Sequence, residues 1–110
     1  MTHDDVRRIA LALPEVYEAD HHGMASFRVN KKVFSTLREA PRMMVKLDPE
    51  DQLNLSAAHP GVIEPVPGYW GRNGSTMVSF DQLDEALVAT LLKMAWSSVA
   101  PKRLLAKAPG

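Results

Sequence analysis

The feature that most constrains the fold is MASFRVNKKVFSTLR, residues 24–38, where two runs rich in β-branched and aromatic residues flank Asn30-Lys31. Such runs favour strands, and asparagine tolerates the positive φ of a two-residue hairpin turn. The resulting hairpin pairs three couples across its strands: Val29 with Lys32, Arg28 with Val33, and Phe27 with Phe34. Because residues paired in this way share a face of the sheet, both phenylalanines should point into the core.

A third strand is predicted at RMMVKLD, residues 42–48, because its side chains alternate in a period of two. Its core side would carry Met43, Val45 and Leu47, and its outer side would carry Arg42, Met44 and Lys46. The hairpin would add six residues to that outer side: Met24, Ser26, Arg28, Val33, Ser35 and Leu37. Further short strands are expected at residues 16–20 and 75–80.

Three helices are predicted from their start signals. Thr2 and Asp5 form a capping-box pair for the first helix, which Pro14 ends. Asp48 and Pro49 begin the second, whose buried stripe is expected to hold Leu53, Leu55 and Ala57. Asp81 is expected to cap the longest helix, which ends before Pro101. Its predicted stripe comprises Leu83, Leu87, Leu91, Met94 and Ser98, widened by Val88, Leu92, Ala95 and Val99. Residues 102–110 are predicted to add one turn before the chain frays.

This order of elements predicts an α+β fold, specifically a two-layer α/β sandwich in which helices cover one face of an antiparallel sheet. A chain of 110 residues is expected to form a single domain, residues 1–110. The segment VIEPVPGYWGRNG, residues 62–74, is predicted to be a loop that crosses to the last strand, because its prolines exclude a central strand.

Composition excludes several classes of protein. The chain has no cysteine, which excludes disulfides, thiol nucleophiles and iron–sulfur clusters. No apolar run approaches the roughly 20 residues of a membrane span. The opening MTHDDVRR lacks the basic-then-apolar order of a signal peptide. A cytoplasmic protein is therefore expected.

No pattern indicates catalysis or a cofactor. The histidines include no i, i+4 pair that would predict a metal site, and no serine lies in a Gly-x-Ser-x-Gly elbow. GYWGRNG lacks the spacing of a phosphate-binding loop, and its Asn73-Gly74 pair indicates a turn. The carboxylate pairs Glu50-Asp51 and Asp84-Glu85 fall where helix dipoles account for them. We therefore predict a non-enzymatic binding module with no catalytic residue, no metal and no cofactor.

The candidate binding surface is the outer face of the hairpin and third strand. The chain has zero net charge, yet residues 28–46 carry six basic and one acidic side chain, a sum of +5. Basic surfaces with aromatic residues suit nucleic-acid backbones and also protein partners; an ordinary solvated sheet face is the third interpretation. The predicted contact residues are Arg28, Lys31, Lys32, Arg42, Lys46, Trp70, Arg72, Lys102 and Arg103.

Five stretches together resemble the MmcQ/YjbR family: ALALPEVYE, GMASFRVNKKVFSTL, VKLDPED, HPGVIEPVPGYWGRNG and AWSSVAPKRL. The resemblance implies a frataxin/CyaY-like two-layer fold and a small cytoplasmic protein, and it brings no catalytic residues. Members are commonly labelled DNA-binding through a proposed "double wing" arrangement. Many relatives have Asn-Gly-Lys where this chain has Asn30-Lys31-Lys32, and an aromatic residue where it has Ser75. By this resemblance, Trp70 should pack at the sheet edge and leave Arg72 free to bind.

Two functions remain open on the sequence. The first is a weak, largely sequence-independent DNA-binding protein, favoured by the +5 segment, by Lys102-Arg103 and by the family label. The second is a protein-interaction or homo-oligomerising module that uses the same face. It is favoured by the zero net charge, by Met44 on the outer side, and by the lack of a helix pattern for the major groove.

Overall fold

The computed structural model describes residues 1–107 and contains one antiparallel sheet of six strands in the order β1-β2-β3-β4-β6-β5. The strands are β1 (Tyr17–His21), β2 (Met24–Val29), β3 (Lys32–Leu37), β4 (Arg42–Lys46), β5 (Ile63–Pro65) and β6 (Ser75–Ser79). The helices are α1 (His3–Leu11), α2 (Pro49–Ala58), α3 (Tyr69–Arg72), α4 (Glu85–Val99) and α5 (Lys102–Leu105).

Helices cover one face of this sheet. Neither α1 nor α4 lies on the opposite face. Helix α4 packs across β2, β3 and β4, and α1 packs against α4. The core between these layers includes Phe27, Phe34, Val45 and Trp96, all fully buried. The predicted α+β sandwich with an antiparallel sheet is therefore confirmed.

The hairpin turn forms as predicted. Asn30 and Lys31 have φ angles of 51° and 65°, the left-handed pair of a two-residue hairpin turn. Next to the turn, Val29 pairs with Lys32 and Arg28 pairs with Val33. The sequence therefore predicts the start of the hairpin correctly.

Beyond those two pairs a β-bulge changes the register. Phe27 pairs with Ser35 rather than with Phe34, so the predicted pairing of the two phenylalanines is wrong. Phe34 is the extra residue on β3, and both phenylalanines are nevertheless fully buried. Because one extra residue reverses the side to which the following residues point, Leu37 joins the core and Thr36 takes the outer face. The predicted outward positions of Ser35 and Leu37 are corrected accordingly.

The helix starts are confirmed in two cases and shifted in the third. The Thr2 backbone N–H donates to Asp5 Oδ2 (2.8 Å) and the Asp5 N–H donates to Thr2 Oγ1 (3.2 Å), and Asp48 Oδ1 accepts from the Asp51 N–H at 2.9 Å. The longest helix begins after Asp84, not Asp81, because residues 80–82 form a 3-10 turn that buries Phe80.

The buried stripes of the helices differ from those predicted. In α2, Leu53 is 68% exposed and Ala57 is also exposed, and Leu55 alone of the predicted three packs against the core. In α4 the buried side chains are Val88, Leu91, Leu92, Ala95 and Trp96. Trp96 was absent from the predicted stripe, yet it anchors the helix layer by donating its Nε1–H to the Pro14 carbonyl at 3.1 Å.

The segment predicted to be a loop contains regular structure. Residues 63–65 form edge strand β5 and residues 69–72 form helix α3. Pro65 is tolerated in β5 because an edge strand needs backbone donors on one side only. The turn predicted after Pro101 is α5, and the predicted fraying at residues 108–110 lies outside the described residues.

The bulge makes the two phenylalanines independent core residues, so each truncation should be costly on its own. Phe27→Ala and Phe34→Ala should each lower the free energy of unfolding by about 3–5 kcal/mol, the usual cost of removing a buried aromatic ring. The control Leu53→Ala removes an exposed side chain and should change it by less than about 0.5 kcal/mol. Urea denaturation measures all three; parent-like stability of either phenylalanine variant would contradict the burial described.

Candidate binding groove on the outer sheet face

A groove crosses the outer face of the sheet, on the side away from α1 and α4. Its volume is about 470 Å³, within the usual range for sites that bind small ligands. Strands β3 and β4 form its floor, and the segment between β5 and β6 forms one wall. We call it the outer groove. Its lining residues are His21, Val33, Thr36, Arg38, Met44, Lys46, Val66, Trp70 and Ser75.

The outer sheet face is basic. The register places Arg28, Arg42 and Lys46 on this side, and Arg38 continues the β3–β4 ladder through its N–H, which donates to the Arg42 carbonyl at 3.0 Å. Glu64 on β5 shares this face, because it pairs with Met77, which pairs with Met44. Positive side chains therefore outnumber negative ones here although the whole chain is neutral.

Two polar groups in the outer groove are buried without a hydrogen-bond partner among the described residues. They are Thr36 Oγ1 and Arg38 Nε. Thr36 is only 1% exposed, and both residues line the groove. A buried polar group without a partner costs stability, and in native proteins such groups are rare enough to need an explanation.

Trp70 forms a wall of the outer groove. Trp70 is 63% exposed, and its ring contacts the Tyr69 ring edge to face, with 5.5 Å between centroids. The close approach of α3 to residue 66 requires Gly71, since a Cβ there would lie 1.8 Å from the Val66 carbonyl oxygen. Trp70 therefore flanks the groove and does not pack into the sheet edge, which corrects the expectation drawn from the family resemblance.

Gln52 of α2 holds this wall against the sheet. Its Nε2 lies 3.0 Å from the Gly71 carbonyl oxygen, 3.2 Å from the Ser75 carbonyl oxygen and 3.0 Å from Thr76 Oγ1. A single amide group has two N–H donors, so these acceptors share them. Because Gly71 follows Trp70 directly, the hydrogen bonds of Gln52 position the tryptophan.

The structure brings some of the predicted contact residues together. Lys46 and Trp70 line the outer groove, and Arg28 lies on the same face. The Arg28 guanidinium donates to Ser26 Oγ at 3.0 Å and to the Asp20 carbonyl at 3.1 Å. The other residues near this face are exposed: Lys31 and Lys32 at the hairpin turn, and Arg42 at the start of β4.

The remaining predicted contacts lie elsewhere. Arg72 on α3 lines a different, shallower depression together with Gln52 and Pro65. Lys102 and Arg103 belong to α5, whose Leu104 is part of the core, so they lie on the helical side. The Arg103 guanidinium donates to both carboxylate oxygens of Glu15, at 2.8 and 3.1 Å. These hydrogen bonds hold the pKa of Glu15 below its usual value.

Sequence reasoning missed several residues of the outer groove. His21, Thr36, Arg38, Val66 and Ser75 line it, and none was predicted as a contact. Arg38 belonged to the +5 segment, so its charge was a usable signal. Thr36 was not detectable because it reaches this face only through the bulge.

Residues 1–107 show neither a metal-ligand cluster nor a membrane-spanning helix. That part of the chain contains no group of three or more His, Asp or Glu side chains arranged to hold a metal ion. It also contains no helix with the length and apolar character needed to cross a membrane.

Comparison with known proteins identifies the family. The model of the YjbR family matches residues 11–98, which is most of the chain. The chain belongs to the YjbR family. This is not a known enzyme family, and membership supports a small non-enzymatic module. No curated protein matches the chain.

A solved YjbR-like structure shares the fold. It is the crystal structure of Deinococcus radiodurans protein DR2400, described with the family domain DUF419. The two chains superpose with a TM-score of 0.79 at 22% identity, over 96% of this chain and 86% of the other. At this identity the similarity concerns the fold.

Gln52→Ala should loosen the wall that carries Trp70. The carbonyls of Gly71 and Ser75 each keep one other donor, the N–H of Gly74 and of Val66, so we expect the free energy of unfolding to fall by about 1 kcal/mol, the net contribution of an ordinary hydrogen bond. Faster amide exchange at residues 69–75 should accompany this loss. The control Gln82→Ala changes an exposed glutamine and should leave both unchanged. Parent-like exchange at residues 69–75 in Gln52→Ala would contradict the positioning role.

Proposed function

We propose that this YjbR-family protein is a non-enzymatic, cytoplasmic module that binds DNA weakly and with little sequence preference. The observation that carries the proposal is the basic outer sheet face, where Arg28, Arg38, Arg42 and Lys46 lie on one side of the sheet. Lys31 and Lys32 extend this face at the hairpin turn. Phosphate contacts of this kind supply affinity without reading sequence.

The distribution of charge favours binding through the sheet face rather than through the whole protein surface. Acidic side chains lie in the first turns of α1, α2 and α4, away from the outer face. A polyanion would therefore meet the protein favourably from the sheet side. Binding through the basic outer sheet face does not require a helix inserted into the DNA major groove. Many sequence-specific proteins depend on such a helix.

A second candidate is binding of a protein partner or of another copy of the chain. The aromatic residues Tyr69 and Trp70, each 63% exposed, favour it, because aromatic residues are enriched in protein interfaces. The two candidates differ in their response to salt. Counterion release makes DNA binding steeply salt-dependent, whereas an apolar interface is nearly insensitive to salt.

Duplex titrations over a range of salt concentrations test the proposal. If about five basic side chains contact phosphates, log K should fall with log salt at a slope of roughly −4 to −5. The double variant Lys31→Glu, Lys32→Glu should abolish binding and leave the fold intact, because both side chains are exposed. Fluorescence anisotropy of a labelled duplex and circular dichroism provide the two measurements.

The matched control is Lys102→Glu with Lys107→Glu. It changes the net charge by the same amount on exposed positions of the helical side, so it should weaken binding far less. Equal losses in the two double variants would mean that net charge, not the sheet face, governs binding. Absence of binding at about 50 mM salt, where phosphate contacts are strong, together with a dimer in light scattering, would favour the second candidate.

A further inference from the structure

We propose that the outer groove is a specific site for one unstacked nucleotide, with the phosphate at Thr36, Arg38 and Lys46 and the base against Trp70. The shared chemistry is a planar ring that carries a phosphate, either as a free nucleoside monophosphate or as one unit of a single strand. Duplex binding by the sheet face is not required for this site, so the two proposals can fail separately.

The phosphate end is defined by the two unpartnered polar groups. Arg38 Nε can only donate a hydrogen bond, and the Thr36 hydroxyl can also donate. Both are buried without partners among the described residues and both line one groove. An anionic oxygen accepts from both at once, and hydrogen bonds to charged acceptors are stronger than neutral ones.

The charges around these two groups favour an anion over a neutral ligand. Lys46 lines the same groove, two residues after Met44 on β4, and adds a second positive charge to it. No Asp or Glu side chain is among the lining residues that the structure describes. The terminal phosphate of a mononucleotide offers three oxygens to the donors of Thr36, Arg38 and Lys46, and a phosphodiester within a strand offers two.

The ring end is formed by apolar and aromatic side chains. Trp70 is exposed, and the apolar residues Val33, Met44 and Val66 also line the groove, with Met44 paired to Thr36 across the strands. Bases stack on aromatic side chains without regard to sequence. The volume of about 470 Å³ is large enough for a mononucleotide and too small for a duplex.

The site predicts opposite effects of one substitution on stability and on binding. Thr36→Val keeps the β-branched shape and removes the buried hydroxyl that lacks a partner, so the melting temperature of the free protein should rise. The same substitution removes a phosphate donor, so affinity for AMP should fall about tenfold or more. Thr36→Ser keeps the hydroxyl and should retain binding. If Thr36 had only a structural role, its substitution would not raise the melting temperature and lower the affinity for AMP at the same time.

The experiment is a titration of the whole protein with AMP, adenosine, inorganic phosphate and a short oligothymidylate, followed by NMR. The two tryptophans give two indole N–H signals, and Trp96 is buried on the opposite side of the sheet. AMP should shift the Trp70 signal and leave the Trp96 signal in place. Adenosine and inorganic phosphate should each bind at least tenfold more weakly, because each lacks one half of the ligand.

Variants assign the shift to the groove. Arg38→Gln and Thr36→Val should weaken AMP binding about tenfold or more, while Arg72→Gln, an exposed position on the same helix as Trp70, should not. The Lys31→Glu, Lys32→Glu protein should lose duplex binding and keep AMP binding, which separates failure of this site from failure of the sheet face.

The outcomes decide both the site and the source of its ligand. AMP binding that is lost in Thr36→Val supports a free nucleotide. Oligothymidylate binding that is lost in Thr36→Val, without AMP binding, supports a unit of a single strand. Absence of any Trp70 shift with either ligand up to about 10 mM, where a site of ~1 mM Kd would be filled, would overturn the proposal. So would a Thr36→Val protein with parent-like affinity.

Discussion

The β-bulge between β2 and β3 is the constraint on which the rest of the structure depends. It lets Phe27 and Phe34 both enter the core although they do not pair across the hairpin. The same extra residue reverses the direction of the side chains that follow it on β3. Leu37 consequently completes the core, and Thr36 and Arg38 face outward. The outer groove exists because one residue of β3 has no partner in β2.

The sequence predicted well what depends on local chemistry. The capping pairs at Thr2 and Asp48, the Asn30-Lys31 turn and the alternation of β4 each follow from neighbouring residues, and each is confirmed. The sequence failed where tertiary packing decides. Phe80 is buried in a 3-10 turn, and α4 begins only after this turn, with Asp84 as its N-cap. Leu53 has the spacing of a core residue, but α2 directs Gln52 and Leu55 toward the sheet and leaves Leu53 exposed.

The candidate site was predicted in part for the same reason. Charge is local information, so Arg28, Lys31, Lys32, Arg42 and Lys46 were predicted as a basic group, and the structure places them on or beside the outer sheet face. The wall of the groove depends on residues that are distant in sequence. Trp70 is positioned through Gly71 and by Gln52, which lies 19 residues away from Gly71 along the chain. Thr36 could not be identified without the bulge. Arg72, Lys102 and Arg103 are basic, but their elements lie away from the groove.

The separation of charge between the two layers gives this neutral protein a directional field. Basic side chains outnumber acidic ones on the outer sheet face, whereas the helical side carries the acidic first turns of α1, α2 and α4 together with basic Lys102 and Arg103. A molecule with zero net charge experiences no net pull in a uniform field, yet unequal charge on its two sides makes it an electric dipole. Near a charged surface it experiences a torque that turns one layer toward the surface. Any encounter with a charged surface is therefore selected by orientation rather than by long-range attraction, and this selection fades over about one Debye length.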